Sequence, residues 1–158
     1  ALKGILGVVT DEVVSYVNAP LVAAALGLAV REEAVAESAD YRSLIRLAGL
    51  VDGTERAIAG TFMARKGPVL VEVDGYEIEL PITDHMLLIR NQDVPGVIGR
   101  VGTYLGDVGV NIADMAVGRH PDGGAMMGLS LDRSLNETDV AAILAIGGVA
   151  AARYIHLG

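Results

Sequence analysis

The sequence predicts an α+β chain in two parts, on three observations. Apolar positions near the start recur at helical spacing. From Leu28 the period shifts toward two, with Asp52-Gly53 and Asp74-Gly75 as two-residue hairpin turns. From His85 onward, apolar strands and amphipathic helices follow one another in the order βαββαβ.

In order, Leu2, Ile5, Leu6, Val9, Val13, Val14 and Val17 approximate one helix face. Asn18-Ala19-Pro20 reads as a restart, with Asn18 as cap and Pro20 in the first turn, and Gly27 stops the second helix. Strands are expected over Ala29–Glu37, Tyr41–Leu50, Glu55–Ala64, Val69–Val73 and Tyr76–Leu80. Two short helices are few for that antiparallel sheet, so residues 1–81 read as an incomplete domain.

The second part spans residues 82–158, with the boundary near Pro81. His85–Asn91 is an apolar strand. Pro95-Gly96 opens a helix carrying Val97, Val101, Leu105 and Val108 on one face, and Gly109 ends it. Asn111–Arg119 and Ala125–Leu131 are strands, with Met127, Leu129 and Leu131 alternating inward in the latter. Ser134-Leu135-Asn136-Glu137 reads as a capping box before a helix through Val140, Ile143 and Leu144. Val149–Leu157 is the last strand. This is the ferredoxin-like plan, with both helices on one face of a four-stranded antiparallel sheet.

Composition narrows the function. The chain has 158 residues, is 52% hydrophobic and has no Trp and one Phe, so its core is built from Val, Ile, Leu and Ala. Residues 1–81 carry 7 Lys/Arg and 12 Asp/Glu, and residues 82–158 carry 5 and 8. Neither half suits a phosphate backbone, which argues against nucleic acid. With no cysteine, disulfides, thiolate catalysis and Cys-based metal sites are excluded, in keeping with a cytoplasmic protein. The longest apolar run, Val140 to Ala152, has 13 residues, short of the roughly 18 a membrane helix needs. The chain opens Ala1-Leu2-Lys3 without an initiator Met or a signal-peptide layout, as a processed chain or fragment would.

The informative segment is Arg90-Asn91-Gln92-Asp93-Val94-Pro95-Gly96-Val97-Ile98, followed by Gly109-Val110-Asn111-Ile112. Free amides at the start of the helix attract a carboxylate. Asp93 can hold an ammonium group, and Asn91 and Asn111 offer both donor and acceptor. Asn111 is expected near the same end of the sheet as Asn91. A zwitterionic amino acid asks for this combination. The same residues also serve as plain loop and cap residues, and spacing alone leaves both readings open.

Asp-Val-Pro-Gly-Val-Ile-Gly from Asp93, with Leu105-Gly106-Asp107-Val108-Gly109-Val110-Asn111-Ile112-Ala113-Asp114-Met115, resembles the ACT domain of bacterial D-3-phosphoglycerate dehydrogenases. Ala1-Leu2-Lys3-Gly4, Tyr16-Val17-Asn18-Ala19-Pro20 and Val73-Asp74-Gly75-Tyr76 resemble the intervening, allosteric substrate-binding domain of the long form of that enzyme. The resemblance implies a partial intervening domain over 1–81 and an ACT domain over 82–158, and L-serine as effector at an ACT–ACT interface of a homo-oligomer. Carried over by position, the effector residues are Asn91, Asp93, Val94, Pro95, Gly96 and Asn111, where family members often place His or Tyr at the first. It implies NAD in the parent enzyme, at a site outside this sequence, and neither catalysis nor a cofactor in this chain. Some long forms bind an anion with basic residues on the last hairpin. Those positions here are Val69, Tyr76 and Pro81, leaving Arg42, Arg65 or Lys66 to rebuild such a site. A stand-alone amino-acid-binding protein and the small domains of an L-serine dehydratase share the same features.

His85, His120 and His156 show no ligand spacing and read as surface or edge residues. The glycines at 96, 99, 102, 106 and 109 form no Gly-x-Gly-x-x-Gly or P-loop and are expected to allow close packing against a neighbouring element.

Overall fold

A computed structural model describes residues 2–10, 12–30, 41, 43–51, 53–120 and 123–157. It divides into two compact units, residues 1–40 and 41–158.

In the first unit, α1 (Leu2–Val9) and α2 (Ala19–Ala25) bury Leu6, Ala19, Val22 and Ala23 between them. The apolar spacing predicts a helix through Val17, yet α1 stops at Val9. The Thr10 hydroxyl accepts the Glu12 amide at 3.2 Å, a local bond that competes with helix continuation. Val13 and Val17 are consequently exposed. Asn18 precedes α2 but its side chain does not cap the helix; it turns back, accepting from Ser15 and donating to the Val13 carbonyl. Gly27 at φ +73° closes α2 as expected. The strand expected over 29–37 falls outside the described residues from 31 onward, and 29–30 are not strand. Arg42 and Asp52 also lie outside them.

The second unit holds two sheets. β1 (Ile45–Val51), β2 (Thr54–Met63), β3 (Gly67–Val73) and β4 (Tyr76–Pro81) pair antiparallel in sequence order. Asp74 and Gly75, at φ +49° and +82°, make the tight turn that the Asp-Gly pair predicts. β5 (His85–Asn91), α3 (Val97–Asp107), β6 (Ile112–Arg119), β7 (Ala125–Leu131), α4 (Glu137–Leu144) and β8 (Val149–His156) form the expected βαββαβ unit, with strand order β6-β7-β5-β8.

Val97, Val101 and Leu105 of α3 and Ile143 of α4 pack with Leu87, Ile89, Met127 and Leu129 on one face of this sheet. The opposite face is covered too. Leu70, Val73, Ile78 and Leu80 of the first sheet pack against Met86 and Met126. Every residue of β7 is therefore buried, where alternation predicts one buried face. Gly118 and Gly128 make the sheet-to-sheet contact possible. A Cβ on Gly118 would stand 2.1 Å from the Glu77 carbonyl oxygen, and one on Gly128 would stand 2.9 Å from Leu80. Ser130 Oγ, buried in the same layer, donates to the Pro81 carbonyl. The boundary near Pro81 thus lies between two sheets that share one compact unit.

The capping box of α4 sits two residues later than Ser134-Glu137. Asn136 accepts the Asp139 amide at 2.9 Å, and Asp139 accepts the Asn136 amide at 3.0 Å. The glycines at 99, 102 and 106 have open space where a Cβ would stand, so among the described residues they pack against no neighbouring element, contrary to expectation.

Candidate functional site

The end of β5 and the start of α3 hold Asn91, Asp93 and the Val94-Pro95-Gly96 turn together. Asn91 is 6% exposed; its Nδ2 donates to the Gln92 carbonyl at 2.7 Å. Its Oδ1 is buried and, among the described residues, has no hydrogen-bond partner. Leaving an acceptor in that state costs about 1–3 kcal/mol, which a ligand donor would relieve. Asp93 is half-exposed, and its Oδ2 accepts from Arg119 Nε at 2.7 Å. Val94 is 47% exposed on the same loop.

Gly96, at φ +90°, precedes α3, and no side chain caps the helix start. Its left-handed backbone and missing Cβ let Arg100 fold back, since a Cβ there would stand 2.9 Å from Arg100 Nη1. Arg100 Nη2 donates to the Gly147 carbonyl at 2.7 Å, and the Gln92 amide donates to Gly148 at 2.8 Å. The turn after α4 therefore braces the loop before α3. The result is a buried acceptor, a carboxylate, an uncapped helix start and a guanidinium within one loop cluster. Asn91 and Asp93 suit an ammonium or hydroxyl donor, and the helix start with Arg100 suits a carboxylate.

Asn111 is not part of this cluster. In the strand register, Asn91 lies opposite Ala125, whose other neighbour is Arg119 at the end of β6. Ile112, at the start of β6, pairs with Leu131 at the far end of the sheet. The expectation of a shared end is thus overturned. α3 carries the chain back by about 16 Å, so the next strand starts where β5 started. Asn111 is exposed there, its amide donating to Asp132 at 2.9 Å. A single copy cannot bring Asn111 to Asp93.

The histidines gather more than their spacing suggests. His85 Nδ1 is 2.7 Å from the Tyr154 hydroxyl, and its ring stacks on His156 with centroids 4.9 Å apart. This pairing needs the β5–β8 register, which no local motif reveals. Among the described residues no three His, Cys, Asp or Glu side chains could hold a metal ion together. Of the candidate anion-binding cations, Lys66 pairs with Glu79 at 3.3 Å and Arg65 is exposed, while Val69 is fully buried. Nor do the α3 glycines fit a dinucleotide: they line a helix and carry no Gly-x-Gly-x-x-Gly turn. Among the described residues no helix is long and apolar enough to cross a membrane.

A βαββαβ module with a polar cluster where its first strand meets its first helix defines the class: a domain of the ACT type. Family comparison agrees, an ACT domain model matching residues 85–148 and a D-3-phosphoglycerate dehydrogenase intervening domain model matching residues 1–74. The chain is 35% identical over 157 residues to D-3-phosphoglycerate dehydrogenase of Bacillus subtilis (strain 168), with 99% of this chain and 30% of the relative covered. Similar matches are the D-3-phosphoglycerate dehydrogenases of Synechocystis (34% identical; 99% and 28% covered) and Methanocaldococcus jannaschii (36%; 99% and 30%). This chain carries the intervening and ACT domains of the D-3-phosphoglycerate dehydrogenase family, and spans about 30% of the length of the relatives it matches.

Proposed function

We propose that this chain is the regulatory region of a cytoplasmic, NAD-dependent D-3-phosphoglycerate dehydrogenase and that it binds L-serine as a feedback effector. One observation carries the reading: a buried Asn91 Oδ1 without a partner among the described residues, beside Asp93 on the loop that opens α3. The serine ammonium and hydroxyl would supply the donors that Asn91 and Asp93 want. The carboxylate would meet the start of α3 at the Val94-Pro95-Gly96 turn. NAD and the dehydrogenation chemistry belong to the rest of the enzyme, and no catalytic role falls to this chain.

Because Asn111 lies at the other end of the sheet, its contribution comes from a second copy, whose Asn111 completes the site of the first. Serine then bridges two ACT domains, and the bridging biases domain movement in the whole enzyme and lowers turnover.

Mixing variants tests this directly. Asp93→Ala and Asn111→Ala chains should each lose high-affinity L-serine binding alone, by roughly ten- to a hundredfold. After subunit exchange, an equal mixture should regain about one site in four, because each mixed dimer carries one intact composite site. No recovery on mixing, or full binding by Asn111→Ala alone, would contradict a shared site.

A further inference from the structure

We infer that Arg119 is the chain's own stand-in for a ligand cation at Asp93 and passes occupancy of the site on to the β1–β4 sheet. The inference rests on the amino-acid-binding reading for its ligand but on separate contacts for its route. Arg119 Nε donates to Asp93 Oδ2 at 2.7 Å, across 26 residues of sequence. Arg119 is thus the chain's own cation on the oxygen a ligand ammonium would use. A ligand without a positive group offers Asp93 at most a neutral hydroxyl in exchange for the guanidinium. The pair is solvent-exposed, with side-chain exposures of 75% and 45%, so an incoming ammonium can displace it at a cost of roughly two- to fivefold in affinity.

The neighbours of Arg119 give the displacement a consequence. Gly118 presses its backbone against the Glu77 carbonyl so closely that a Cβ would stand 2.1 Å from that oxygen. On the other side, the His120 ring lies 5.2 Å from the Tyr76 ring, and a Cβ on Gly75 would stand 3.2 Å from His120 Nε2. Both neighbours therefore grip the start of β4 and the β3–β4 turn. With Arg119 on Asp93, the end of β6 is tied to the effector loop. With Arg119 released, the tie is gone while the grip on β4 remains. These are two discrete arrangements that ligand binding can bias.

Hydrogen exchange on the 158-residue chain tests the route without ligand. Asp93→Asn and Arg119→Met should each speed amide exchange at residues 75–77 and 118–120 roughly two- to fivefold, the double variant no more than either single one, and Arg119→Lys should stay close to wild type. Unchanged exchange at 75–77, or additive effects in the double variant, would overturn the inference. With ligand, Arg119→Met should bind L-serine roughly two- to fivefold more tightly than wild type, and serine should no longer alter exchange at 75–77. It should also widen the preference for L-serine over 3-hydroxypropanoate, which lacks the amine and gains no ion pair from the freed Asp93; an unchanged or narrowed preference would count against Arg119 as the competing cation. If L-serine binds neither chain, the proposed function fails, and the ligand-free exchange still decides the route.

Discussion

The two sheets of the second unit are built from similar apolar strands but meet different fates. The β5–β8 sheet is covered on both faces, by α3 and α4 on one side and by β3 and β4 on the other. The β1–β4 sheet is covered where β3 and β4 meet its neighbour and at a smaller cluster of Ala59, Val69 and Val71 with Tyr41 and Met63. On β1 and β2, Ile45, Ile58 and Phe62 stand 60%, 45% and 69% exposed. They line an open apolar groove of about 390 Å³ with Leu47, Pro68 and Ile82. Strand content is therefore a poor guide to where stability lies. It lies at the layer shared by the sheets, and the Asn91–Gly96 loop is hung from the sheet covered on both faces.

Leucine truncation separates the two regions most sharply. Leu80 is fully buried between the sheets and Leu50 is 77% exposed on β1. Leu80→Ala should cost about 2–5 kcal/mol in urea unfolding, and Leu50→Ala should stay within about 0.5 kcal/mol of wild type. Equal losses would mean that the exposed part of β1 is covered in solution and would break the comparison.

A smaller effect sharpens the picture of the covered sheet. Tyr104 of α3 donates to Asp139 Oδ1 at 3.0 Å, and Asp139 is also the last member of the α4 capping box, so one carboxylate fastens both helices. Burial, then the hydrogen bond to Asp139 and its charge, push the Tyr104 phenol above its ordinary 10.0. The folded chain holds that proton more tightly than the unfolded one. The stabilisation is therefore complete below 10.0 and is lost as pH rises through the folded value. The advantage of wild type over Tyr104→Phe in urea unfolding should be constant through neutral pH and shrink above about pH 10. An advantage that grows with alkalinity would contradict the assignment.

Much of this was legible in the sequence because each signal was local. Strand β5, helix α3 and the Asp74-Gly75 turn follow from periodicity and from glycine's tolerance of positive φ. The Asn91–Gly96 cluster is contiguous, so its residues come together whatever the rest of the fold does. What was not legible depended on what lies across space. β7 reads as half-buried until the first sheet is laid on its second face, with Gly118 and Gly128 permitting the approach. Asn111 sits in the same motif as Asp93 yet at the other end of the sheet, because a crossover returns the chain before the next strand starts. Asn136 displaced Ser134 as the cap of α4 because both carry suitable side chains and only the backbone geometry at Asn136 selects between them. Arg119 carried no motif at all, and only the β6–β7 register places it beside Asp93.

The most direct measurement is calorimetric titration of L-serine into the wild-type chain and into Asp93→Ala. Saturable binding to wild type, weakened roughly ten- to a hundredfold by the loss of a charged hydrogen-bond partner, is the expected result. No heat of binding to wild type, or isotherms that coincide, would contradict an amino-acid site at the head of α3.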